Sequence, residues 1–231
     1  MDNKDFSPLE KRVGITFKDR EVLTQAFVHR SYLNEHPGFQ LGHNERLEFL
    51  GDAVLELSVT EYLYLNYPNP EGEMTNWRAS LVNAKSLAKV ATELGLEDFL
   101  YLSHGESKDA GSKARNYILA NTMESFIGAI YLDQGMVVAD EFIKKYIISM
   151  LPEILEKKLY IDPKSRFQES AQEMMGVTPN YRVLEEHGPD HAKDFVVGVY
   201  LGEELVAKGI GTSKQEAQIA AAESALIEKE W

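Results

Sequence analysis

Over the first two-thirds of the chain, apolar residues recur at three- and four-residue intervals, the spacing of one helix face. That pattern predicts helices over Asp19–Phe27, His43–Tyr67, Thr75–Leu94, Lys113–Leu132 and Val138–Ile148. Turn formers separate them: Pro37-Gly38, the run Tyr67-Pro68-Asn69-Pro70-Glu71-Gly72, and Asp133-Gln134-Gly135. Near Pro163 the periodicity changes. A helix over Ser165–Met175 precedes three short runs rich in β-branched and aromatic residues, Asn180–Glu186, Asp194–Leu201 and Glu204–Gly209. An alanine-rich helix, Ser213–Lys229, ends the chain. The expected fold class is multidomain. An all-α helical domain spans 1–150, a linker or helical tail 151–161, and a small α+β domain of α-β-β-β-α order 162–231.

With 44% hydrophobic and 26% charged residues among 231, the chain has enough apolar matter to bury a core and is not a mostly disordered polymer. No apolar run approaches about 18 residues, so no membrane span is expected. The start, MDNKDFSPLEKR, lacks the apolar core of a signal peptide. The absence of cysteine excludes disulfides, thiol nucleophiles and thiolate ligands, so any metal must be held by oxygen or nitrogen. A cytoplasmic protein is the expectation. The net charge is -13, and both halves are acidic. Such a body repels polyanions, so RNA binding would need a local basic surface or divalent cations over the acids.

The first chemical signal lies in His43-Asn44-Glu45-Arg46-Leu47-Glu48-Phe49-Leu50-Gly51-Asp52. At about 100° per residue, Glu45, Glu48, Asp52 and Glu56 share one stripe roughly 80° wide. The other side carries Leu47, Leu50, Val54 and Leu57, expected to be core. Like charges at neighbouring helical positions cost about 0.2–0.5 kcal/mol per pair, a cost that a divalent cation would reverse. Alone, such a stripe is more often a solvated face. A second set of oxygen donors, Asn121 and Glu124 at i, i+3 on Lys113–Leu132, changes that balance. With Gly51 and Gly128 permitting close packing, two helices can present oxygen ligands to a hard cation.

These residues carry a resemblance. Asn44–Leu55 (NERLEFLGDAVL) resembles the signature of the ribonuclease III family. His29-Arg30-Ser31-Tyr32, Glu71-Gly72 and Ile118–Asp133 fall in the order and spacing of that family's other motifs. The C-terminal part is similar to a double-stranded RNA-binding domain in Asp162–Glu169, Gly188-Pro189-Asp190-His191, Gly209–Lys214 and the alanine-rich helix. The resemblance implies a homodimeric, Mg²⁺-dependent endoribonuclease, with Mn²⁺ as substitute, cutting double-stranded RNA to leave 5′-phosphates and 3′-hydroxyls. It implies a metal-binding set of Glu48, Asp52, Asn121 and Glu124. Glu45 and Glu71 match further acidic positions near the cleft, making Asp52, Glu124, Glu45 and Glu71 the candidate catalytic carboxylates. Phe49 matches an aromatic that enters the partner subunit, against which stands the plain reading of a core residue. Gln168, Glu169 and Gln172 would meet 2′-hydroxyls, His191 the next minor groove, and Lys214 a phosphate at the positive end of the last helix.

Two departures from the family pattern stand out. Asn121 replaces the usual Asp; its amide oxygen can ligate a cation but brings no charge. The last helix follows Lys214 with Gln215 and Glu216 where further basic residues are usual, which implies weaker phosphate contact. The alternative function is a double-stranded RNA-binding dimer that cleaves weakly or not at all because of Asn121. A purely structural helical module is disfavoured by the two converging donor sets. His29 and His43 flank helix starts and read as caps or as hydrogen-bond partners behind the site, while His104, in a polar loop, reads as solvated. No nucleotide cofactor is expected, since the chain has no Gly-rich phosphate loop, and no Ser/His/Asp ordering supports a serine hydrolase.

Overall fold

A computed structural model describes residues 4–109, 111–189 and 193–231. They form two compact units, Met1–Lys157 and Lys158–Trp231.

The first unit is helical: α1 (Ser7–Val13), α2 (Arg20–Ala26), α3 (Arg30–Glu35), α4 (Glu45–Asn66), α5 (Glu71–Val82), α6 (Ala84–Glu93), α7 (His104–Lys108), α8 (Lys113–Gln134), α9 (Met136–Tyr146) and α10 (Leu151–Glu156). Its centre is α8, whose residues from Ile118 to Ile130 are buried apart from Asn121 and Glu124. Phe6, Phe27, Phe99, Phe126 and Phe142 close a buried aromatic core around it, with Phe27 and Phe126 5.6 Å apart in a tilted pair. Leu151 and Ile154 are buried as well, so the stretch after Met150 starts as a packed helix of this unit.

Three expectations need correction. The single helix Thr75–Leu94 is two helices broken at Asn83, where ψ of 158° leaves the helical region and the side chain caps α6 by accepting from Ser86 N–H at 2.9 Å. The preceding helix starts earlier, because Pro70 ends the turn and Glu71 is the first residue of α5. Leu57, expected in the core, is 61% exposed. His104 begins the short helix α7 rather than lying in a loop, although it is exposed as expected.

The second unit packs α11 (Pro163–Met175) and α12 (Lys214–Glu228) on an antiparallel sheet of order β1-β2-β3, formed by β1 (Asn180–His187), β2 (Asp194–Leu201) and β3 (Glu204–Gly211). Alanines Ala217, Ala221, Ala222 and Ala225 are fully buried. Their small side chains let α12 lie so close to β3 that a Cβ on Gly209 would stand 2.1 Å from the Ala221 nitrogen. Among the described residues no helix is long and apolar enough to cross a membrane.

Candidate functional site

The site is built where α4 and α8 touch backbone to backbone. A Cβ on Gly51 would stand 1.7 Å from the Glu124 carbonyl oxygen, and one on Gly128 would stand 2.3 Å from the Leu47 oxygen. Glycine at both crossings is therefore a steric requirement. Asn44, the residue before α4, is buried and donates its amide to the Ala26 carbonyl at 3.3 Å and to Ser125 Oγ at 3.4 Å. Ser125 Oγ in turn donates to Ala26 O at 2.7 Å, so one polar knot fixes α4 against α2 and α8. The result sets Glu48 and Asp52 beside Asn121 and Glu124.

Electrostatics show how close these groups are. Burial, then the Glu45 and Asp52 charges, raise the Glu48 carboxyl, against a side-chain hydrogen bond with Asn121 that lowers it. Glu124 is pushed up to about 7, first by burial and then by the Asp52, Glu48 and Glu56 charges. Among the described residues no Lys, Arg or His pairs with Glu48, Asp52 or Glu124. Glu56, by contrast, is paired with Arg78 Nε at 2.9 Å. Concentrated, uncompensated oxygen donors fit a hard divalent cation in donor type and in charge. No three Asp, Glu or His side chains among the described residues already converge as a ready-made ligand cluster.

The raised Glu124 carboxyl has a consequence for stability. The folded protein binds this proton more tightly than the unfolded chain, so stability is gained as pH falls from about 7 toward 4.5 and lost above about 7. His29, lowered mainly by burial, acts in the opposite sense once pH drops through its unfolded value of 6.5. Without divalent ions the protein should therefore melt higher at pH 6.5 than at pH 8. In a Glu124→Gln variant that gap should shrink; an equal gap in both proteins would assign it to other groups.

Two family models match the chain. One described as Ribonuclease-III-like covers residues 19–151, and one described as Double-stranded RNA binding motif covers residues 163–229. The chain belongs to the ribonuclease III family. It is 43% identical over 227 residues to the ribonuclease 3 of Enterococcus faecalis, with 98% of each chain covered. It is 44% identical over 223 residues to that of Pelotomaculum thermopropionicum, covering 96% of this chain and 92% of the relative. The nuclease domain of ribonuclease III from Campylobacter jejuni, whose structure is described by flexibility in a region of dimer formation, is 39% identical and superposes with a TM-score of 0.57. That match covers 64% of this chain and 99% of that one. Ribonuclease III membership implies a divalent-metal requirement.

The other predicted residues of this ribonuclease III chain are spread more widely. Glu45, at the head of α4, lies 3.7 Å from Arg30 Nη1 and 3.7 Å from His43 Nδ1, and its charge reaches Glu48. Glu71 is exposed at the start of α5 and accepts from Thr75 Oγ1 at 3.1 Å. Among the described residues no hydrogen bond or ion pair joins it to the α4 and α8 carboxylates. Phe49 is 81% exposed, which removes the reading as a core residue of its own chain. In the second unit Gln168, Glu169 and Gln172 line one shallow groove on α11 with Glu173. Lys214 opens α12, where Ser213 Oγ caps the helix by accepting from Glu216 N–H at 3.2 Å. His191 lies outside the described residues. His29 caps α3 through Ser31 N–H at 3.4 Å, a structural role.

Sequence reasoning missed Arg78, which ties α5 to the acidic stripe through Glu56 and donates to Thr60 Oγ1 at 2.8 Å. Helical spacing carries no signal for a pair between two helices. Asn44 belongs to the sequence motif, but its burial and its hydrogen bond to Ser125 depend on the tertiary fold.

Proposed function

We propose that the carboxylates of α4 and α8 hold the divalent cation, Mg²⁺ with Mn²⁺ as substitute, with which this endoribonuclease hydrolyses phosphodiester bonds in double-stranded RNA. The products carry 5′-phosphate and 3′-hydroxyl ends, and the chain works as a homodimer in the cytoplasm. The observation that carries this reading is the Gly51–Gly128 crossing, which concentrates Glu48, Asp52, Asn121 and Glu124 with no basic side chain among the described residues to neutralise them. When bound, the cation polarises the scissile phosphate, lowers the pKa of a water and offsets the charge that builds up in the transition state. Asn121 lies close enough to Glu48 to favour its ionised form, the form that would hold a cation. Glu124, inside the crossing and half-buried, supplies charge where water screens it least. Arg78 holds Glu56 away from this work, and Arg30 does the same for Glu45. Glu45 and Glu71 stand further out, as outer carboxylates of the cleft.

Support for the dimer comes from α4 itself. Phe49, Leu57 and Tyr64 are 81%, 61% and 75% exposed and fall within about 80° of helical arc beside the acids. Such a stripe in water is costly unless covered, and a second copy covering it would set two acidic clefts in one assembly. RNA binding is assigned to the groove of Gln168, Glu169 and Gln172, the segment holding His191, and Lys214, which suits the 2′-hydroxyls and phosphates that a duplex displays.

A labelled duplex incubated with and without Mg²⁺, beside the same strand alone, tests the function. Mg²⁺-dependent cutting of the duplex only is expected; equal cutting of the single strand would overturn duplex specificity. A chain ending at Lys157 should fold, dimerise and cut only at low salt, because it keeps the metal site and loses the second RNA surface. Finding it monomeric by light scattering would move the dimer contact out of the helical unit. Asn121→Asp should lower the Mg²⁺ needed for half-maximal cleavage by about three- to ten-fold, since a full charge is added at the cation's edge. An unchanged Mg²⁺ titration would mean that Asn121 does not face the metal.

A further inference from the structure

We infer that Glu186 is an internal competitor for the RNA phosphate, holding the lysines that would otherwise grip it. Its two carboxylate oxygens face two different lysines, Lys214 Nζ at 3.3 Å and Lys193 Nζ at 3.8 Å. The two lysines come from different elements at the same end of the sheet, where Phe195 pairs with Glu186 on one side and Gly211 on the other. Lys193 precedes β2, and Lys214 is the first residue of α12, with its ammonium also 5.5 Å from the Phe195 ring. A carboxylate spanning two ammonium groups resembles the arrangement that a phosphate would take between them. The same helix start is occupied a second time: Glu216 accepts from Thr212 N–H at 3.0 Å and from Thr212 Oγ1 at 2.6 Å. The end of α12 that should attract an anion therefore already has its own.

Two effects of Glu186 oppose each other. Holding Lys214 in place lowers the entropy lost when phosphate binds, which favours RNA. Leaving a carboxylate a few ångströms from the incoming phosphate disfavours it. The pair is solvent-exposed, with Lys214 57% and Glu186 40% accessible, and its distances are loose, so it orders the lysine stem only weakly. Repulsion wins. Releasing the lysines also leaves Glu186 to gather cations, so fewer ions are set free overall and the salt dependence of binding is flattened. The consequence is selectivity: this edge adds little to affinity until the rest of the duplex register is made, and stray phosphates are bound poorly.

This inference rests on the proposed phosphate role of Lys214, and the experiment separates the two. Affinity of the full chain for a duplex RNA is measured by fluorescence anisotropy in EDTA, where cleavage is off. Glu186→Gln should tighten binding roughly three- to ten-fold at 0.1 M salt and steepen the salt slope by up to about one. Glu203→Gln removes the same charge from the β2–β3 turn of the same unit and should change affinity less than about two-fold. The Glu186→Gln gain should vanish in a Lys193→Ala/Lys214→Ala background. Unchanged or weaker binding by Glu186→Gln, or a gain that survives without the two lysines, overturns the competition. If instead Lys214→Ala leaves affinity intact, the assignment of Lys214 to phosphate is what fails.

Discussion

Replacing Glu124 by Gln is expected to abolish cleavage of duplex RNA, by about a thousand-fold or more, while changing RNA affinity less than about two-fold. The substitution keeps the shape of the side chain and removes one charge. Glu124 is the most perturbed carboxylate of the cluster, raised to about 7 by burial and by three neighbouring acids, so its ionised form is stabilised only when a cation is present. Asn121 beside it carries no charge to replace the one removed. Binding of the duplex depends on the second unit and should survive. Single-turnover cleavage together with anisotropy at equal ionic strength checks both halves. Cutting at the normal rate would remove Glu124 from the site.

The second large effect concerns the crossing that builds the site. Gly51→Ala should destabilise the helical unit by about 3 kcal/mol or more, lowering its melting temperature by about 6–12 °C, and should cost cleavage as well. The added Cβ would lie 1.7 Å from the Glu124 carbonyl oxygen. Backbone has no rotamer with which to move aside, so α4 and α8 must separate and carry Glu48 and Asp52 away from Glu124. Gly72→Ala is the matched control: nothing lies within 4 Å of its Cβ position in the first turn of α5, and a change from neutral to slightly stabilising is expected. Thermal melts of the two variants decide it. Equal melting temperatures would show that the helices do not cross here as closely as described.

Much of this architecture was legible in the order of residues. The 3.6 periodicity found α4 and α8 because long helices average out local noise, and the acidic stripe followed from the same arithmetic. The alanine-rich helix was legible too, although its reason, close approach to Gly209, was not. The misses have physical causes. The break at Asn83 is a capping choice made by one side chain, against apolar spacing that runs straight through it. Leu57 reads as core on a helical wheel, and its exposure shows that the apolar side of α4 is wider than one chain covers. Glu71 matches an outer carboxylate of the family, but its hydrogen bond to Thr75 is local, so its place in the cleft rests on resemblance. Pairs such as Arg78–Glu56 and Lys214–Glu186 join elements far apart in sequence, where spacing carries no information.

Oxygen donors of α4 and α8 are proposed to hold the ion with which this chain cuts RNA. Anomalous scattering from Mn²⁺-soaked crystals, recorded on protein shown to cut duplex RNA with Mn²⁺, tests it most directly. The expected result is a manganese peak about 2.0–2.3 Å from carboxylate oxygens of Glu48, Asp52 and Glu124. A Mn²⁺-active protein with its only manganese elsewhere would contradict the site.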